Sequence, residues 1–314
     1  MQTRRSELTA PRTSAVRSVD LPEPGYGEVL LRLLVSGVCA SEVAEWTAGP
    51  GDGAGVLALG HEPVGEVVAT GPDVSAVRPG DVVTGRVDAS FADHTIADAR
   101  DLVVVPPGLE PAEALGEPLG CVVEALRRTR LDTGDRVAVV GTGFMGLVLL
   151  QLLRHAGTRQ VVAIDPRPDA RDQALIHGAD AVVAPGEAAG PAYADAFDVV
   201  VEASGTAPGL DLATTLVRPH GVLSIMGYHQ GPRTVDLKTW NFKSIDVVNA
   251  HVRDRDRLRD SVRRGLDLVA AGRINVGALI THRFALDDVD AAFTALVDKA
   301  PGFVKAAITW PEPS

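Results

Sequence analysis

Residues 137–153 read VAVVGTGFMGLVLLQLL, an apolar run interrupted by three glycines that then resumes. Gly141, Gly143 and Gly146 form G-x-G-x-x-G, a pattern that a chain with 32 glycines also produces by chance. Context decides its meaning. RVAVVG (136–141) has the unbroken Val/Ala character of a strand buried on both faces, and the apolar stretch after the glycines reads as a helix. Between such a strand and helix, Gly141 permits the tight turn, Gly143 lets backbone approach a pyrophosphate, and Gly146 lets helix and strand pack closely. The helix N-terminus then faces the phosphates. Asp165 ends the next strand, QVVAID (160–165), 19 residues after Gly146, where a carboxylate can hold ribose hydroxyls. Phe144 and Met145, inside the loop, join these as candidate cofactor-binding residues. Asp165 would repel a 2′-phosphate, so NAD is favoured over NADP, and the nearby Arg167 and Arg171 temper that preference.

The pattern continues on the C-terminal side. AVVA (181–184), FDVVVEAS (197–204), GVLSIMG (221–227) and SIDVVNAH (244–251) are strand-like and alternate with helical stretches. That alternation predicts a doubly wound α/β domain over 119–252. On the N-terminal side the chain reads as β-rich over about its first 115 residues. EVLLRLLVSGV, GEVVATG and GDVVTGRV are separated by Gly/Pro signals such as PEPGYGE and VVPPGLEP. The last part returns to a mixed pattern, with two helices (RLRDSVRRGLDLVAAGRI and ALDDVDAAFTALVDKA) and a final strand, VKAAITW. Residues 1–118 and 253–314 are therefore assigned to a β-rich domain into which the α/β domain is inserted.

Bulk properties narrow the partners. A net charge of −11 over 314 residues argues against nucleic acid and anionic membranes. No run approaches the ~20 apolar residues of a membrane span. The basic start, MQTRRSELTAPRTSAV, has no apolar core of a secretory signal. Two cysteines cannot form a disulfide framework or a four-cysteine zinc site, and the expected compartment is the cytoplasm.

One of those cysteines lies in SGVCASEVAEW (36–46). LGHEPVGEV (59–67) adds His61 and Glu62, and LGEPLGC (115–121) adds Glu117. Zinc accepts thiolate, imidazole and carboxylate together, and catalytic sites use three protein ligands plus an open position. Spacing alone leaves open a core cysteine and a solvated His-Glu turn.

Taken in order, SGVCASE, GHEPVGEV, GEPLG and VAVVGTGFMG resemble the zinc-dependent medium-chain dehydrogenase/reductase family, and the resemblance extends to VEASG and the VKAAI strand. It implies a GroES-like β-rich catalytic domain and a Rossmann domain, with the active site in the cleft between them. It implies Cys39 and His61 as the first two ligands of a catalytic zinc and Glu117 at the third position, with Glu62 as a carboxylate that can also bind the metal. Ser41 corresponds to the hydroxyl that relays the alcohol proton, and Glu42 to the acid that orients the zinc-binding histidine. Lys305 corresponds to a basic residue at the cofactor pyrophosphate, and Ser204 in VEASG is a further candidate cofactor-binding residue.

Two departures stand out. Only VTGRVDASF (83–91) remains where the family's four-cysteine lobe belongs, so no structural zinc is expected. Ala44 occupies the place of the relay histidine, and a proton must leave by another route. The implied reaction is hydride transfer between NAD and a secondary alcohol or ketone. The carboxylate-rich ligand set points to a polyol, sugar or cyclitol-like substrate. The alternatives are a zinc-free quinone or enone reductase of the same superfamily, and a non-catalytic NAD-binding protein. Trp46, Phe91 and Trp240 are candidates to line the cleft. WNFKSIDVVNAH (240–251) ends in the last strand of the sheet, whose edge in this family commonly builds a homodimer and whose following residues approach the nicotinamide, so Asn249 and His251 are noted, and the remaining histidines read as surface or structural.

Overall fold

The computed structural model describes residues 1–51 and 56–311. The chain divides into two compact units, Met1–Gly120 with Asp254–Ser314, and Cys121–Arg253. The first unit opens on an antiparallel hairpin of β1 (Gln2–Ala10) and β2 (Thr13–Asp20). β3 (Glu28–Gly37), β4 (Glu62–Thr70), β5 (Val82–Gly85), β6 (His94–Asp98) and β7 (Leu102–Val104) follow, with the short helix α1 (Val43–Ala48) after β3. β3 pairs antiparallel with both β4 and β6, β4 with β5, and β5 with β7. Val29, Leu31, Leu33, Val67 and Val83 fill the core between them. Helix α2 (Gly116–Arg128) begins at the end of this stretch.

The second unit alternates strand and helix. In chain order it comprises β8 (Arg136–Val140), α3 (Phe144–Leu153), β9 (Gln160–Ile164), α4 (Pro168–Ile176), β10 (Ala181–Val183) and α5 (Pro185–Ala188). β11 (Phe197–Glu202), α6 (Ala207–Leu216), β12 (Val217–Ile225), α7 (Leu237–Lys243) and β13 (Asp246–Asn249) complete it. The six strands form one parallel sheet in the order β10-β9-β8-β11-β12-β13. Val137, Ala138 and Val139 are all wholly buried, as a strand covered on both faces requires. The order reverses between β8 and β11, so the carboxyl ends of those two strands flank the crevice where open α/β sheets take ligands.

The chain then returns to the first unit. α8 (Arg255–Ala270) starts where Asp254 accepts the backbone N–H of Arg257 at 2.8 Å, a helix cap. β14 (Ile280–Phe284), α9 (Val289–Asp298) and β15 (Lys305–Thr309) follow. β15 lies parallel to β14 and antiparallel to β3, with Ala307 opposite Gly37. Helix α9 buries Phe293 against Trp46, stacked at 5.3 Å, and against Phe91, edge-on at 6.1 Å. Trp46 and Phe91 are thus core residues, 2% and 0% exposed, and not the site-lining aromatics the sequence offers. Trp240 packs on the other unit's core and donates its indole N–H to Thr214 Oγ1 at 3.1 Å. Among the described residues no helix is long and apolar enough to cross a membrane.

Candidate metal centre and dinucleotide site

The metal-ligand candidates are brought together where β3 ends, β4 begins and β15 begins. Cys39 follows β3 and caps a single 3-10 turn, Ala40–Glu42. Ser41 Oγ donates to Cys39 Sγ at 3.2 Å. Glu42, from the same turn, is buried, and its Oε1 accepts the backbone N–H of Gly60 at 2.7 Å and lies 3.1 Å from His61 Nδ1. Gly60 has φ +96°, and a Cβ there would meet Phe91 N at 2.8 Å, so only glycine makes the bend that presents His61. With Nδ1 turned to Glu42, Nε2 is the imidazole nitrogen left for a ligand.

Glu62 opens β4 directly opposite Gly37 of β3. A Cβ on Gly37 would fall 2.0 Å from Glu62 Oε2, so the missing side chain is the space the carboxylate fills. Lys305, the first residue of β15, places Nζ 2.6 Å from that same oxygen. Cys39, His61 and Glu62 each offer one ligand atom, and these atoms all lie within 4.8 Å of one another. Ligands bound to zinc at about 2.0–2.3 Å in a tetrahedron sit roughly 3.5 Å apart, so a small inward movement closes the set.

The electrostatics suit a cation. Burial works to lower the pKa of His61, but hydrogen bonding to Cys39 and the carboxylates of Glu42 and Glu62 override it and push it up to about 12. Burial likewise opposes the charged forms of Glu62 and Lys305. Their mutual attraction prevails, holding the Glu62 carboxyl below the usual range and the Lys305 amine above it. Among the described residues nothing hydrogen-bonds to the buried Glu42 Oε2. Thiol, imidazole and carboxylate donors in a pocket this rich in negative charge fit a zinc ion.

Glu117 sits in the first turn of α2, 9% exposed, and stands outside the Cys39–His61–Glu62 group. Its charge nonetheless helps to raise the Lys305 pKa. The start of α2 is tied to β5 by the Gly116 N–H, which donates to Thr84 Oγ1 at 3.0 Å, and Thr84 in turn donates to Pro63 O at 2.7 Å. Lys305, expected at the cofactor, is committed here to Glu62.

In the second unit the glycine loop has the geometry its spacing predicts. Gly141 has φ +99°, and a Cβ there would meet Ser204 N at 2.7 Å. A Cβ on Gly146 would lie 2.2 Å from Gly141 O, so any side chain separates helix from strand. Gly143 caps α3 and has open space beside it. Phe144 is buried, Met145 half-buried and Ser204 exposed. Asp165 is 6% exposed, and its two oxygens accept the backbone N–H groups of Thr142 and Arg167, each at 2.9 Å. Arg171 is anchored on Asp165 O at 2.7 Å. His251 Nε2 lies 3.2 Å from Gly227 O, and Asn249 accepts the His251 backbone N–H at 3.1 Å. The sequence reading missed the pairing of Glu202 with His229 at 2.9 Å. Its one local signal is an acidic residue directly after the apolar run Val199–Val201.

Residues 25–107 match the alcohol dehydrogenase GroES-like domain, and residues 145–270 match the zinc-binding dehydrogenase family. A sorbitol dehydrogenase from Gallus gallus is 30% identical, the match covering 87% of each chain. An L-threonine 3-dehydrogenase from Pyrococcus horikoshii is 27% identical over 88% of this chain and 89% of its own. The crystal structure of 2R,3R-butanediol dehydrogenase from Bacillus subtilis shares the fold, with a TM-score of 0.85 at 21% identity, covering 98% of this chain and 100% of that one. With both domains matched in order and a relative at that level of identity across most of its length, the chain belongs to the zinc-dependent medium-chain dehydrogenase/reductase family and is an NAD(P)-dependent oxidoreductase.

Proposed function

We propose that this chain is a zinc-dependent alcohol dehydrogenase that moves a hydride between NAD and a secondary alcohol or its ketone. The observation that carries the reading is the convergence of Cys39, His61 and Glu62 within 4.8 Å. These three would hold the metal, with Glu117 as the second carboxylate near it. Bound zinc supplies Lewis acidity toward the substrate's hydroxyl oxygen, which makes the alcohol a competent hydride donor near neutral pH. Glu42 fixes the ring of His61 through Nδ1. Ser41, on the 3-10 turn that Cys39 caps, would accept the substrate's hydroxyl proton at Oγ, because Ala44 offers no acceptor. Gly141, Gly143 and Gly146 hold the pyrophosphate against the start of α3. Asp165 keeps lone pairs beyond its two backbone bonds for the ribose hydroxyls, which favours NAD over NADP.

Sorbitol, threonine and butanediol, named by the relatives, are secondary alcohols with a neighbouring hydroxyl or amino group. A polyol, sugar or cyclitol with such a vicinal pair is the substrate class proposed here. The exposed edge strand β13, with Val247 40% and the adjacent Phe242 81% exposed, supports a homodimer built on that edge. Two free cysteines, one a proposed metal ligand, suit the reducing cytoplasm.

The test is zinc content per chain for the wild type and Cys39→Ala, together with NAD reduction across polyols, cyclitols, threonine and simple alcohols. The reading expects one zinc per wild-type chain, loss of metal and turnover in the variant, and preference for vicinally substituted alcohols. Full activity in chelator-treated, zinc-free protein would refute it and point to a zinc-free reductase.

A further inference from the structure

The second unit contains a charged network that neither the metal centre nor the glycine loop uses. Glu202, the last residue of β11, is fully buried. Its Oε1 accepts the backbone N–H groups of Ser204 at 2.7 Å and Gly205 at 2.9 Å, and its Oε2 lies 2.9 Å from His229 Nε2. On the other side of the ring, Arg233 Nε donates to His229 Nδ1 at 3.1 Å. A guanidinium can only donate, so Nδ1 is the bare nitrogen and Nε2–H donates to Glu202. A buried carboxylate is thus connected through a neutral imidazole to an exposed guanidinium. The backbone makes room for this, since a Cβ on Gly227 would lie 2.5 Å from Glu202 Oε2.

Arg233 is fixed from two further directions, donating to Pro232 O at 3.2 Å and Gly205 O at 3.4 Å. Two of its five N–H donors then have no acceptor among the described residues. Its location suggests what they take. β11 neighbours β8 at the point where strand order reverses. Ser204 lies against the first glycine of the phosphate loop, and the Gly205 carbonyl that Arg233 holds is the next residue. An oriented guanidinium with spare donors, beside a phosphate loop at the carboxyl ends of parallel strands, suits a diphosphate.

We infer that Arg233 binds the pyrophosphate of the dinucleotide and that His229, anchored on Glu202, is the positioning residue that aims it. This rests on the dinucleotide reading given under the proposed function. The test is calorimetric titration of the purified full-length protein with ADP-ribose and NADH, with adenosine measured by displacement of NADH. Arg233→Gln is expected to weaken ADP-ribose and NADH about tenfold, the usual effect of losing one charge-assisted bond, and to leave adenosine unchanged. His229→Leu should reproduce that loss. His229→Gln, which keeps one donor and one acceptor, should restore most of it. Wild-type affinity for ADP-ribose in Arg233→Gln, an exposed site with little bearing on folding, overturns the inference. Equal losses for adenosine and ADP-ribose also overturn it, because the effect is then structural. A wild-type protein that binds neither NADH nor ADP-ribose removes the dinucleotide reading itself, and this inference with it.

Discussion

Lys305→Met tests how the metal centre is balanced. Lys305 Nζ is 2.6 Å from Glu62 Oε2, with the two side chains 6% and 1% exposed. Methionine keeps most of the volume and removes the charge, so Glu62 loses the larger of the two attractions that hold it charged, the other being His61. Removing one partner of a buried pair costs about 3–5 kcal/mol, and at roughly 2–4 °C per kcal/mol the chelator-treated variant should melt about 10 °C lower. The cost depends on pH in a defined direction. The Glu62 carboxyl is held below its ordinary value, so its pairing stabilises the wild type above the unfolded pKa of about 4.3 and is lost as pH falls through the folded value. The gap between wild type and variant should therefore narrow in acid. It should narrow with zinc as well, since the metal gives Glu62 another partner. Differential scanning calorimetry of both proteins, with chelator and with zinc, reads all three effects. Melting of the chelated variant within 2 °C of the chelated wild type would refute the reasoning, because Glu62 would then not depend on Lys305.

Gly146→Ala should weaken NADH binding by at least about tenfold, because its Cβ would stand 2.2 Å from Gly141 O and push α3 off the phosphate loop. Fluorescence titration measures this, and unchanged affinity would detach the loop from the cofactor. Asp93 is opposed by burial but held below its ordinary pKa by Arg4 and the Trp310 indole N–H, which donate to it at 2.9 Å each. Its contribution is present above about pH 3.9 and lost as pH falls through the folded value, so Asp93→Asn should flatten the acid limb of the stability curve. Melting temperatures between pH 6 and pH 3 test this, and parallel curves for the two proteins would exclude the role.

The second unit was largely legible in the sequence because its determinants are local. Strands buried on both faces write continuous Val/Ala runs, and the glycine loop needs only residues within five positions of one another. The β1–β2 hairpin was not legible. QTRRSELTA buries Thr3, Ser6 and Glu7 as well as Leu8, and Glu7 is accommodated by Arg5 at 2.6 Å, so no apolar alternation marks the strand. The donor types of the proposed metal centre were readable from Cys39, His61 and Glu62, but their convergence depends on pairings among β3, β4 and β15 that spacing does not reveal. For the same reason the contact of Lys305 with Glu62 is not visible in the sequence, which offers Lys305 only as a cofactor-binding residue. Trp46 and Phe91 illustrate a further limit, since an aromatic residue looks the same in a sequence whether it lines a site or fills a core.

The adjacency of Gly37, Glu62 and Lys305 also bears on how the chain assembles. Strand pairing has a two-residue period, so a one-residue slip of β15 against β3 would turn Lys305 to the opposite face and strand Glu62 in the interior. The ion pair therefore acts as a checkpoint on the register of the last strand. The whole second unit is synthesised between Glu62 and Lys305, so this checkpoint cannot be satisfied while the ribosome is still making it. Until β15 arrives, the nascent first unit carries an acidic residue awaiting its counter-charge, and its proposed metal ligands stand on an incomplete sheet.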